Sequence, residues 1–238
     1  EAQAQEGDMS LSEYEDFVFS AVNEVDWDKK KKEQEKLCKI VDAAEEVHIV
    51  APSTDLRISI KGRHAENGDG RFNMPDGEVF TSAVEDSANG FITYSYPALY
   101  LGKEFHNVRL EFKNGKVVSA TADKNEADLN KILNVDAGGR YIGELGIGNN
   151  FAIKKFTKDI LFDEKIGGSI HIALGKGYKE TGSENESALH WDMIKDLRQG
   201  GEKDLRGSAS AKASARQGGE LWFDDKLVQK DGEWLLKL

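Results

Sequence analysis

The segment Ser187-Ala188-Leu189-His190-Trp191-Asp192-Met193-Ile194 carries two side chains able to bind a divalent cation at alternate positions. Read as a strand, it turns His190 and Asp192 to one face and Leu189, Trp191 and Met193 to the other, because successive side chains alternate. Upstream, Ser169-Ile170-His171-Ile172-Ala173-Leu174-Gly175 repeats the scheme, with His171 facing away from Ile170, Ile172 and Leu174. Two imidazoles on rigid strands, with a carboxylate beside one of them, point to a metal. Two further carboxylates stand in glycine-marked segments. Glu78 follows the Pro75-Asp76-Gly77 turn at the start of a strand-like run. Glu144 lies in Gly143-Glu144-Leu145-Gly146-Ile147-Gly148, where the backbone can approach a ligand closely. These glycines are not a nucleotide loop, since the G-x-G-x-x-G spacing and its following helix are missing.

The elements that must carry these residues follow from periodicity. Leu11, Tyr14, Phe17, Val18 and Ala21 recur at helical spacing over residues 10 to 22, behind Ser10 or Ser12 as cap. A second, Lys- and Glu-rich helix over Asp26 to Ala44 has an apolar stripe of Leu37, Ile40, Val41 and Ala44. After residue 45 the period becomes that of strands: Val47 to Val50 and Leu56 to Lys61 alternate, and Asn89-Gly90, Asn114-Gly115 and Asp231-Gly232 are hairpin turn signals. Residues 124 to 134 form one interrupting helix. The spacing predicts an α+β fold, a mainly antiparallel twisted sheet with few helices. Its division is a helical linker segment over 1–45 and a body over 46–238.

Composition narrows the partners. The formal charge of -11, from 43 acidic and 32 basic residues, opposes binding to a phosphate backbone, which needs a positive surface. Nucleic acid is therefore excluded as a partner. No apolar run approaches the ~18 residues of a membrane span, and the polar start has no leader pattern; a cytoplasmic chain without membrane contact is expected. From the abrupt polar start without Met, a fragment or an excised domain is expected. Cys38 is the single cysteine and sits in the apolar stripe of the second helix, so it reads as a small buried hydrophobe rather than a nucleophile. His48 reads as a core or edge residue, and His64 and His106 lie in polar turns; none is assigned a function.

Six segments in order carry a resemblance: Asn73 to Phe80, Val84-Glu85-Asp86-Ser87, Gly143 to Gly148, Leu161 to Gly168, Ile170 to Gly175, and Ser187 to Asp192. Together they resemble the aminopeptidase T and aminopeptidase S family of thermophile-type metallo-exopeptidases, over nearly all of residues 45 to 236. The resemblance implies a two-metal site with Glu78, Glu144, His171, Tyr178, His190 and Asp192 as ligands. It also implies peptide substrates with a free N-terminus, a homodimer, and an N-terminal α/β domain that has no counterpart here. Carboxylate, imidazole and phenolate without thiolate suit zinc, cobalt or manganese. Six such ligands exceed one tetrahedral zinc and suit two ions. For the general base, two residues stand open: Glu144, if it does not bridge, and Glu85, with Asp86 beside it. A second reading of the same motifs is a catalytically silent metal-binding or dimerisation domain, left by loss of the N-terminal domain.

One segment departs from its surroundings. Lys195-Asp196-Leu197-Arg198 recurs at 203–206 and Arg198-Gln199-Gly200-Gly201-Glu202 recurs at 216–220, around a run of Gly, Ser, Ala and Lys. Such residues bury too little apolar surface to order themselves, so 203–220 reads as a flexible insert without chemistry. Deleting it is expected to leave the melting temperature and the metal content of the purified chain unchanged; a fall in either, by circular dichroism or elemental analysis, would contradict that.

Overall fold

A computed structural model describes residues 1–200 and 218–238, so 203–217 of the expected insert lie outside the described residues. Its last three residues do not fit a flexible insert: Gly219 N donates to Leu197 O at 2.7 Å, and Glu220 opens a strand and pairs with Val50. The chain opens with helices α1 (Ala2–Glu6), α2 (Leu11–Asn23) and α3 (Trp27–Ala43). Of the two candidate caps, Ser10 is used: its Oγ accepts from Glu13 N at 3.2 Å while the Glu13 carboxylate accepts from Ser10 N at 2.7 Å. Asp26 caps α3 by accepting from Lys29 N at 3.0 Å.

The strands then follow in chain order: β1 (Glu46–Ala51), β2 (Thr54–Ser59), β3 (Glu66–Gly68), β4 (Glu78–Thr81), β5 (Asn89–Thr93), β6 (Ala98–Tyr100), β7 (Lys103–Phe105), β8 (Arg109–Lys113) and β9 (Lys116–Thr121). After α4 (Glu126–Leu133) come β10 (Ile142–Gly148), α5 (Ile160–Asp163), β11 (Ser169–Gly175), β12 (His190–Asp196), β13 (Glu220–Phe223), β14 (Lys226–Lys230) and β15 (Glu233–Trp234). Among the described residues they form an eight-stranded sheet, β15-β14-β13-β1-β2-β5-β8-β9, a five-stranded sheet, β12-β11-β10-β4-β3, and the small hairpin β6-β7. The named strand pairs are antiparallel, which matches the α+β expectation. Among the described residues no helix is long and apolar enough to cross a membrane.

Turn chemistry was legible at two of the three Asx-Gly pairs. Asn114-Gly115 joins β8 to β9 with both residues at positive φ, 49° and 79°, and Asp231-Gly232 joins β14 to β15 in the same way, at 52° and 80°. Asn89-Gly90 is different: it opens β5 inside the large sheet, with Gly90 paired to both Leu56 and Phe112. A Cβ on Gly90 would stand 2.1 Å from the Asp55 carbonyl oxygen. Close approach of β2, not chain reversal, is what this glycine serves.

The main core takes residues from both large sheets together with Leu37, Cys38 and Val41 of α3 and Leu129 and Leu133 of α4. A second, smaller cluster joins Ala21 of α2 to Tyr96, Ile153, Phe162, Ile166 and Ile194. Helices α2 and α3 thus share the cores of the strand body. Gln34 makes the most consequential link: its buried Nε2 donates to the carbonyl oxygens of Gly68 and Glu78 at 2.9 and 3.0 Å and to Asn67 Oδ1 at 2.7 Å. That fastens α3 to β3 and β4, and so fixes the backbone from which the Glu78 side chain projects.

Cys38 lies in the core as its spacing predicts, and burial, aided by the charges of Asp42 and Glu66, pushes its thiol up to about 12. The neutral thiol therefore dominates at mildly alkaline pH. Ellman's reagent is expected to label the folded chain ~100-fold or more slowly than the denatured chain; rapid labelling before unfolding would show that α3 does not pack as described.

Candidate metal centre

The five-stranded sheet has one apolar face and one donor-bearing face. Val79, Leu145, Ile147, Ile170, Ile172, Leu174, Trp191 and Met193 belong to the main core. Their alternates point the other way. Across the strands, Glu144 pairs with Ala173 and Ala173 with Asp192, while Phe80, Gly146, His171 and Ile194 form the next row and Glu78 stands beside Gly148.

Glu144 reaches this face only through a β-bulge. The register shifts between Ile142 and Glu144, so that Ile142 pairs with Leu174 and Glu144 with the adjacent Ala173. Strict alternation would put Glu144 on the side of Ile142, which is in the core. The inserted residue is Gly143, where a Cβ would lie 2.4 Å from the carbonyl oxygens of both Gly175 and Lys176. No larger residue fits there without moving β11.

The donors converge at short range. His171 Nε2 lies 3.2 Å from Glu144 Oε1 and 3.4 Å from Glu78 Oε2. His190 Nε2 lies 3.5 Å from Glu144 Oε2 and 3.4 Å from Asp192 Oδ2. The Nδ1 atoms of the two imidazoles donate to backbone carbonyls, His171 to Glu164 at 3.1 Å and His190 to Lys176 at 2.8 Å. A carbonyl can only accept, so each Nδ1 carries a proton and each Nε2 is the nitrogen turned to the cluster. Three groups of donor atoms lie within 4.8 Å of one another: Glu78, Glu144 and His171; Glu144, His190 and Asp192; and Glu164, His171 and Asp192.

Electrostatically the cluster is short of positive charge. Burial, then the charge of Glu164, pushes Glu78 up to about 7 against Lys165 and His171, and burial likewise raises Glu144 and Glu164. Burial opposes charge on His171 and His190, yet their bonds to Glu144 and Asp192 and the surrounding carboxylates raise them to about 10 and about 9. Asp192, though buried, is lowered by its bond from His190 and by the cations around it. Glu78 Oε2 is buried and accepts no hydrogen bond. A buried carboxylate oxygen without a hydrogen bond, inside an all oxygen and nitrogen donor set, fits divalent cations.

Of the residues singled out from sequence, Glu78, Glu144, His171, His190 and Asp192 come together here. Tyr178 borders them: its ring centroid is 5.6 Å from that of His190 and 5.2 Å from that of Phe80. Burial and the charges of Glu144, Asp192, Glu164 and Glu78 push its phenol up to about 12. Glu85 lies outside the donor groups found among the described residues. It accepts from Arg63 Nη2 at 2.5 Å and from Ser183 Oγ and Glu184 N at 3.3 and 2.8 Å, and so anchors the loop before β12. His48 pairs with Asp55 and His106 with Glu104, away from the cluster. Sequence reasoning passed over Glu164 and Lys165. The lysine, fully buried, is 3.3 Å from Glu78 Oε1 and forms a close ion pair with Glu164 Oε1. Three consecutive charged residues, Asp163, Glu164 and Lys165, between Phe162 and Gly167-Gly168 were the available signal.

The sequence profile described as thermophilic metalloprotease (M29) matches residues 1–211. The chain belongs to this family. Among curated relatives, aminopeptidase AmpS of Bacillus subtilis (strain 168) is 32% identical over 145 residues, covering 56% of this chain and 35% of the relative. Aminopeptidase T of Thermus aquaticus is 31% identical over 173 residues, covering 62% and 42%. The matches thus span well under half of either relative. In fold the chain is similar to wild-type AmpT from Thermus thermophilus, with a TM-score of 0.75 at 22% identity, covering 93% of this chain and 58% of that one. It is also similar to 2,5-dihydroxypyridine dioxygenase from Pseudomonas putida KT2440, with a TM-score of 0.69 at 16% identity over 92% and 62%.

Gly146 provides a test of the geometry. A Cβ there would stand 2.0 Å from His171 Cε1 and 2.1 Å from Nε2, because the imidazole lies over the glycine. Gly146→Ala is expected to displace His171 and lower affinity for a divalent ion ~10- to 100-fold while the far-ultraviolet circular dichroism is retained. Unchanged metal retention on dialysis against a chelator would remove His171 from the site.

Proposed function

We propose that this chain is the metal-binding catalytic part of an aminopeptidase that removes N-terminal residues from peptides, using two divalent ions. The observation that carries the reading is Glu144, whose two oxygens face different histidines, Oε1 towards His171 and Oε2 towards His190. A carboxylate shared in this way suits a pair of ions ~3.5 to 4 Å apart. Glu78 and His171 would complete one position, and His190 and Asp192 the other, with Tyr178 as a further ligand. Zinc, cobalt and manganese all suit these donors. When bound, the ions supply Lewis acidity, polarising a carbonyl and lowering the pKa of water.

The chain's own residues supply orientation and proton transfer. Donation from each Nδ1 to a backbone carbonyl fixes the imidazoles with Nε2 inward. With both Glu144 oxygens engaged and Glu85 committed to Arg63, Ser183 and Glu184, we assign proton transfer to Glu164. Its carboxylate stands beside His171 and Asp192, and burial raises its pKa. A raised carboxyl can take a proton from water and return it to the leaving amine. Lys165 orients that carboxylate through their ion pair. Action at a free N-terminus rests on the relatives, which are named aminopeptidases. A homodimer rests on the family resemblance.

Elemental analysis after zinc or cobalt addition, paired with hydrolysis of leucine p-nitroanilide, tests the reading. The expected result is two ions per chain and turnover that stops with chelator and with an N-acetylated substrate. Glu144→Ala is expected to lose metal. Glu164→Gln is expected to retain metal while kcat falls ~10²- to 10⁴-fold. Hydrolysis that ignores chelator would defeat the proposal, and metal without turnover would favour the silent metal-binding domain.

A further inference from the structure

β12 is an edge strand of the five-stranded sheet. Ile194 O accepts from Ser95 N at 3.0 Å, and Asp196 N donates to Ser95 Oγ at 3.1 Å. The even-numbered residues of β12 therefore direct their backbone groups away from β11, since these groups alternate along an antiparallel pair. By the same alternation Asp192 aims its N–H and C=O outward. Among the described residues no strand pairs with that edge.

Beside this edge lies a pocket of about 250 Å³ to which His190 and Asp192, both in the donor cluster, contribute. Its volume is below the ~300 to 1,000 Å³ of pockets for drug-sized ligands and is of the scale of one amino-acid residue. Leu99, Tyr100, Phe156 and Ile160 give it an apolar lining. Leu101 and Ile160, which also line it, are 84% and 41% exposed, so apolar surface is left in water beside the donors. The charged groups that line it apart from the donors already have partners: Lys158 donates to Glu104 Oε1 at 2.8 Å, and Asp163 Oδ1 accepts from Thr157 N and Oγ1 at 2.7 and 3.0 Å. A charged side chain entering here would lose water without gaining a free counter-charge.

We infer that this pocket receives the apolar side chain of a peptide's N-terminal residue, whose main chain lies against the backbone of Asp192 at the open edge of β12. The inference rests on the aminopeptidase reading and adds to it a substrate class: chains that begin with Leu, Ile, Met or Phe over those that begin with Lys, Arg, Asp or Glu. The edge supplies contacts common to all peptides, and the pocket supplies the choice among them.

Two readouts test it on the zinc-loaded chain. Trp191 lines the pocket, so titration with L-leucinamide and with L-lysinamide is followed by tryptophan fluorescence, and kcat/KM is compared for the two p-nitroanilides. Leucine is expected to be favoured ~10-fold or more in both. Leu99→Glu, and Ile160→Glu at a half-exposed position that the fold tolerates, are each expected to narrow or reverse that ratio with metal content unchanged. The inference is overturned if the wild-type chain shows no preference for leucine, or if neither variant moves the ratio. Turnover without that preference would sink the pocket and leave the aminopeptidase reading standing; preferential leucinamide binding without turnover would do the reverse.

Discussion

Four carboxylates, Glu78, Glu144, Glu164 and Asp192, are held together in a largely buried cluster with one lysine as their permanent counter-charge. Burying so much like charge is unfavourable unless cations accompany it, and the surrounding architecture supplies the rigidity that keeps the groups from separating. The opposite face of the same sheet is committed to the main core, so a strand cannot slip by one residue to relieve the repulsion without exposing its apolar row. Gln34 pins the β4 backbone from behind. Position is imposed on the donors by packing that has nothing to do with their chemistry.

That separation of roles explains what was readable in advance. His171, His190 and Asp192 follow simple alternation on strands whose other residues are apolar, and the sequence pattern alone assigned their faces. Glu144 has the right residue type but the wrong parity relative to Ile142; the bulge at Gly143 is a matter of tertiary fit, visible only once β11 lies against it. Glu164 and Lys165 belong to the connection between α5 and β11, where no period applies. Gly90 shows the same limit in the fold. An Asn-Gly pair signals a turn locally, but a glycine needed for close strand approach looks identical in sequence.

The fold itself decides little about the reaction. The same architecture extends, at 16% identity and a TM-score of 0.69, to a protein described as a dioxygenase, and folds of this kind host unrelated chemistry. What separates outcomes is the donor set on the face of the sheet opposite the main core. On the proposed reading, Glu144 shared between two imidazoles would serve a pair of ions, and a pair of Lewis acids would suit hydrolysis, in which an attacking and a departing group must both be stabilised.

Lys165 shows why a protein cation cannot do this work alone. Its ammonium reaches Oε1 of Glu78 and Oε1 of Glu164, leaving the other Glu78 oxygen to face His171. Glu78 Oε2 remains buried without a hydrogen bond, 3.4 Å from His171 Nε2. The lysine therefore orients the two carboxylates while leaving an acceptor free on the face where His171 and Glu144 also point. A group with three donors and one charge cannot satisfy that inner set from one side. A dication between them can, because its ligands approach from several directions. The orphaned oxygen and the buried ammonium are two parts of one arrangement: the lysine holds Oε1 of Glu78 so that Oε2 is oriented before an ion arrives.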